Sequence, residues 1–143
     1  MRQLAGSARQ LTSPEWQIAA EACITAPVAA LAVRALAPSR ALRLFTPRVS
    51  RHPELSVARI AAIVDAVLTL ARARCLTKAL VLHNLLLKRG IASEVVVGVA
   101  VEERSMRAHA WVERDGRVLI GAGEREYTTM WRGGSAARTG AGA

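Results

Sequence analysis

From Leu55 to Ala73 the apolar residues Val57, Ile60, Ala61, Val64, Val67, Leu68 and Ala71 recur at the spacing of one helix face. An earlier run, from about Pro14 to Ala37, has a broader apolar band, as in a helix packed against the rest of a domain. Ser13-Pro14-Glu15 supplies its start: a capping residue, a proline in the first turn, then an acid. Pro27 lies in its middle, lacks an N–H and crowds the preceding turn, so a break or kink is expected there. Ala37-Pro38-Ser39 opens a short segment that Thr46-Pro47 closes, and residues 47–54 read as a polar linker. A further helix is predicted from about Cys75 to Lys88, with Gly90 as its C-terminal cap. No Gly or Pro separates Leu70 from Cys75, so local propensity would also let one helix run straight through.

Beyond Gly90 the period shortens. Val95, Val96 and Val97 are β-branched and bounded by Gly98, the mark of a strand with closely approached backbone. A second strand is expected around Ala108 to Glu113 and a returning one over Arg117 to Ile120, joined at Asp115-Gly116, a strong two-residue hairpin signal. Helices followed by a strand meander read as α+β. Residues 14–132 form the expected domain, 1–13 a flexible lead-in, and 133–143, GGSAARTGAGA, a disordered tail.

Composition narrows the class. A chain of 143 residues with 52% apolar residues is one domain able to bury a core. The net charge is +9, almost all of the cations being arginine, with Lys78 and Lys88 the two lysines. Such a surface attracts anions, but aromatics are only 3% and no nucleic-acid module is present, so a nucleic-acid binder is disfavoured. The uncharged stretch from Ala22 to Val33 contains a proline and is too short to span a bilayer. The N-terminus lacks the apolar core of a signal sequence, so a cytoplasmic protein with reduced thiols is expected.

Two cysteines are present, Cys23 and Cys75. Cys75 opens a predicted helix, where unpaired N–H groups and the dipole favour a thiolate, and Arg72 and Arg74 push the same way. His109, in Ala108-His109-Ala110-Trp111-Val112-Glu113, lies on a later strand and can serve as a general base. Each taken alone has a plain packing role as its alternative. His52 falls in the linker, and His83 is too far along the helix to reach Cys75, so it is read as packing. No CxxC or HxxxH spacing is present; neither a metal nor a cofactor is expected.

These segments together resemble the leader peptidases of lasso peptide biosynthesis, a transglutaminase-like cysteine protease family. The matching pieces are Cys75-Leu76 with its leucine-rich helix, Lys88-Arg89-Gly90-Ile91, Val96-Val97-Gly98-Val99, Ala108 to Glu113, and Asp115-Gly116. The similarity spans about Leu55 to Leu119. It implies a transglutaminase/papain-like fold, with helices and a cysteine-bearing helix on a small antiparallel sheet. It also implies a cysteine endopeptidase that cuts the leader from a ribosomally made precursor before an ATP-dependent cyclase closes the ring. The helical N-terminal third is too short for a fused recognition domain, so a leader-binding protein acting in trans is expected.

The family's triad is Cys–His–Asp. Cys75 and His109 match, but the aspartate position falls on Gly121. Counting outward from a two-residue turn pairs Arg114 with Arg117 and sets His109 opposite Ala122. Glu124 then lies diagonal to His109 at about 7–8 Å and is the candidate third member. Asp115 is at the turn tip, and Glu113 is about 13 Å along the strand. A backbone carbonyl or a water could hold the ring instead. Three other readings stand beside the protease: a thiol acyltransferase on the same fold, a non-catalytic binding module, and a basic nucleic-acid or membrane-surface binder.

Overall fold

The computed structural model describes residues 11–45, 47, 49, 54–121 and 126–134. Helix α1 spans Ser13–Ala35 and α2 Pro38–Leu44; α3 spans Val57–Leu70 and α4 Cys75–Lys88. Four strands follow: β1 Glu94–Glu102, β2 Ser105–Arg114, β3 Arg117–Ile120 and β4 Thr128–Gly134. The sheet is antiparallel, in the order β3-β2-β1-β4. The class is α+β, as expected.

The N-cap of α1 is Thr12, one residue earlier than the sequence suggested, and its N–H donates to Glu15 Oε2 at 2.7 Å. Glu15 also takes Arg59 Nε at 2.5 Å, which ties the start of α1 to α3. The helix runs unbroken through Pro27. The carbonyl that Pro27 leaves without its helical donor belongs to Cys23, and both residues are exposed, so water can satisfy it. By length and composition alone α1 could cross a membrane. In this domain Ile18, Ala19, Ala22, Ala29 and Ala32 pack one side of it into the core with α3 and α4.

Helix α4 is the centre of the molecule. Ten of its fourteen residues are buried, including Leu80, Val81, Leu82, Leu85 and Leu86. Each such leucine contributes about 1.5–3 kcal/mol by leaving water. Helices α1 and α3 pack against it, and β1 and β2 lie against it too. Val95, Ala110, Val112 and Ile120 supply the core face of the sheet. Successive strand residues alternate faces, so Val96, His109 and Trp111 belong to the outer face. Arg89 closes the far end of α4, giving Nη2 to Glu21 Oε1 on α1 at 3.1 Å and Nη1 to the Leu85 carbonyl at 2.9 Å.

Two features of the sheet differ from expectation. Leu119 is an extra residue: Val112 pairs with Ile120 while Glu113 pairs with Val118. Strand β4 was not foreseen, and it takes Gly133 and Gly134 out of the expected tail to pair with Val95 and Glu94. Residues 135–143 and His52 lie outside the described residues.

His83 is 1% exposed, with Nδ1 2.7 Å from Ser93 Oγ. Burial lowers its pKa from 6.5 to about 4. The unfolded chain therefore binds a proton that the folded chain refuses between these values. Stability is full above about pH 6.5 and falls toward pH 4, by about 3 kcal/mol in all. Urea unfolding at several pH values checks this. His83→Gln, which keeps a partner for Ser93 but does not titrate, is expected to flatten the profile between pH 5 and 6.5.

Candidate active site

Cys75 is the first residue of α4 because the chain breaks after Leu70. Ala73 N–H bonds the Leu68 carbonyl at 2.9 Å and Arg72 N–H bonds Thr69 at 3.0 Å, a Schellman ending. Its left-handed position is Arg72, at φ 55°. The end of α4 repeats the pattern, with Gly90 at φ 72° and Ile91 N–H on the Leu86 carbonyl. Arg74 is then the extended N-cap, and no side chain caps the helix. The first α4 backbone bond runs from Lys78 N–H to the Arg74 carbonyl, so the N–H groups of Cys75, Leu76 and Thr77 precede the ladder. No acidic side chain occupies that turn. The half-buried thiol thus sits in the first turn of α4, at the positive end of the helix dipole. Cys23 is exposed midway along α1.

His109 pairs with Gly98 across β1 and β2. Its Nε2 lies 2.5 Å from the Gly121 carbonyl. A carbonyl only accepts, so Nε2 carries the hydrogen and Nδ1 keeps a free lone pair in the neutral ring. Tyr127 stacks on the imidazole at 5.2 Å between centroids and Trp111 at 6.1 Å. The indole Nε1–H donates to Glu113 Oε1 at 2.7 Å, and Arg132 bridges Glu113 and Glu94 at 2.8 and 2.7 Å. The Trp111 bond, then Arg132, hold the Glu113 carboxyl below its ordinary pKa. Gly98 makes room for this layer: a Cβ there would stand 2.7 Å from the Trp111 ring.

The two residues come from contacting elements, since α4 packs on β2. His83 is level with Ser93. From there Cys75 is about 12 Å back along the helix. Gly98, opposite His109, is about 13–16 Å along β1. Both residues therefore lie toward the same end of the domain. The His109 ring is on the outer face, however, and among the described residues no hydrogen bond joins it to the thiol.

Glu124 lies outside the described residues. The count that set it diagonal to His109 does not carry through, because the bulge at Leu119 shifts the register by one beyond Val112. Glu113 serves Trp111 and Arg132, not His109. Asp115 forms the turn with Gly116, both at positive φ. The sequence reading missed Tyr127; its signal was that the chain has one tyrosine, a few residues beyond the expected position of the third triad member.

Gly121 has φ 84°, and a Cβ on it would meet the Ala110 carbonyl at 2.9 Å. Placing a carboxylate there, Gly121→Asp, is expected to destabilise the chain by about 1–3 kcal/mol. Arg72→Gly should do the opposite. It relieves a left-handed cost of about 1–2 kcal/mol, less about 0.5–1 kcal/mol of added chain entropy, a net gain of roughly 0.5 kcal/mol. Thermal melts of both variants check the two signs.

The family description "Transglutaminase-like superfamily" matches residues 22–132, more than half of the chain and inclusive of Cys75, His109 and Gly121. No curated protein and no solved structure matches the chain significantly. The helices and antiparallel sheet of the described residues agree with the matched span, and the chain belongs to the transglutaminase-like superfamily.

Proposed function

We propose that the domain is a cytoplasmic cysteine endopeptidase that removes the leader from a ribosomally made lasso precursor. A separate leader-binding protein presents the substrate, and an ATP-dependent cyclase acts next. The observation that carries the reading is the His109–Gly121 bond. It frees Nδ1 as a base at the end of the domain where Cys75 opens an uncapped helix. The motifs shared with the lasso leader peptidases supply the substrate class.

In this mechanism His109 Nδ1 takes the thiol proton and the Cys75 thiolate attacks the carbonyl at the leader–core junction. The Cys75 backbone N–H helps hold the oxyanion. The C–N bond breaks as the imidazolium passes its proton to the leaving amine, the new core N-terminus. A water, losing a proton to His109, then cleaves the thioester and frees the leader carboxylate. The ring and the thiol must meet for this. The ring lies on the outer face of the sheet and α4 on its core face, so the mechanism requires the ring to turn round the edge of β2 when substrate binds.

The unmade thiol–imidazole bond favours one second reading, a binding module without catalysis. A thiol acyltransferase would share the acyl-enzyme step and differ in product, which gains an amine where hydrolysis gains water. Mass spectrometry of a precursor, incubated with this chain and the leader-binding protein, separates all three. Cleavage at one bond is expected, reduced at least about 10³-fold by Cys75→Ala and about 10²–10⁴-fold by His109→Gln. Cleavage undiminished in Cys75→Ala would sink the protease reading. No cleavage, with Cys75 alkylating no faster than Cys23, would establish the binding module.

A further inference from the structure

A cavity of about 380 Å³ opens beside the first turn of α4, between the C-terminal half of α1, the end of α3 and the α3–α4 turn. Its volume is that of a small-ligand or peptide side-chain site. Ala30 and Val33 of α1 and Val67 of α3 give it an apolar floor. Arg34, Arg72 and Arg74 line it from two sides, all three exposed. None of the three has a carboxylate partner among the described residues. The nearby acids are engaged elsewhere: Glu21 with Arg89 and Asp65 with Lys78. Arg74 directly precedes Cys75, and Thr77, two residues beyond it, also lines the cavity. The groove is therefore continuous with the turn that presents the thiol.

We infer that this groove is a substrate subsite for an extended acidic peptide, with one apolar side chain on the floor and a neighbouring carboxylate against the arginines. The inference rests on the reading of Cys75 as a nucleophile acting on a peptide, and adds which peptide it selects. Three cations around an apolar floor without a counter-charge favour an anionic occupant over a neutral one. They also disfavour a basic peptide by like-charge repulsion.

Cys23 lines the same cavity and becomes the sole thiol of the Cys75→Ala chain, which makes it a reporter of occupancy. The probes are an acetylated, amidated octapeptide of alternating Leu and Asp, and the same peptide with Lys for Asp. At nine-tenths occupancy the Leu/Asp peptide should slow iodoacetamide alkylation of Cys23 about tenfold. The Leu/Lys peptide should not slow it, and Arg34→Glu, at an exposed side chain, should abolish the protection. Equal protection by both peptides, or none by either at millimolar concentration, would overturn the subsite. Precursor cleavage by the otherwise native chain separates this from the protease reading. If the precursor is cut and Arg34→Glu leaves kcat/KM unchanged, the subsite falls and the protease stands. If Cys23 is protected but nothing is cut, the protease falls and the groove stands as an acidic-peptide site of a domain without catalysis.

Discussion

Helix α4 has almost no solvent face, and a helix buried all round must be covered on every side. The leucines from Leu80 to Leu86 require partners in more than one direction. Helices α1 and α3 supply part of the cover, and the core residues of β1 and β2 supply the rest. The polar groups this burial traps are met in part, for His83 Nε2 and Asn84 Oδ1 are buried without a hydrogen-bond partner among the described residues. Asn84 Nδ2 donates to the Phe45 carbonyl at 3.2 Å, His83 meets Ser93, and Arg89 meets Glu21. The first turn of α4 carries Cys75 half-buried beside solvent, so the same helix serves as core and as platform for the thiol.

How much of this could be read from the sequence depended on whether the signal was local. Gly90 was legible as a cap because glycine has no penalty at positive φ. The identical ending at Arg72 was not, because an arginine pays for the left-handed conformation and only the packing of Ala73 and Cys75 against the core makes it worthwhile. The Asp115-Gly116 turn and the Arg114–Arg117 pair followed from turn chemistry. The Leu119 bulge two residues further did not, and it sets Val112 opposite Ile120 where a regular hairpin would have set it opposite Leu119. Strand β4, with two glycines and mostly exposed side chains, has little strand character of its own. It exists because β1 offers it an edge.

The candidate site divides in the same way. Cys75 and His109 stood out by residue type and motif. What surrounds His109 did not: Tyr127 reaches it from the connection that leads out of β3 toward β4. Trp111 stacks beside the ring, and Glu113 and Arg132 fix the indole in turn. Gly98 belongs to this layer as much as any side chain, because the Trp111 ring occupies the space its Cβ would need. The outer face of the sheet is thus an ordered aromatic and ionic surface.

A carbonyl oxygen, such as the one Gly121 offers to His109, is an unusual kind of anchor. It has no charge to lose, so no acid titration releases the ring from it, whereas a carboxylate would let go on protonation. It also belongs to the main chain, so substitutions that shorten side chains leave it in place. A survey of this domain by alanine replacement of side chains would therefore pass over it. What sets its place is a backbone shape that only glycine adopts easily, so the constraint on Gly121 is one of geometry.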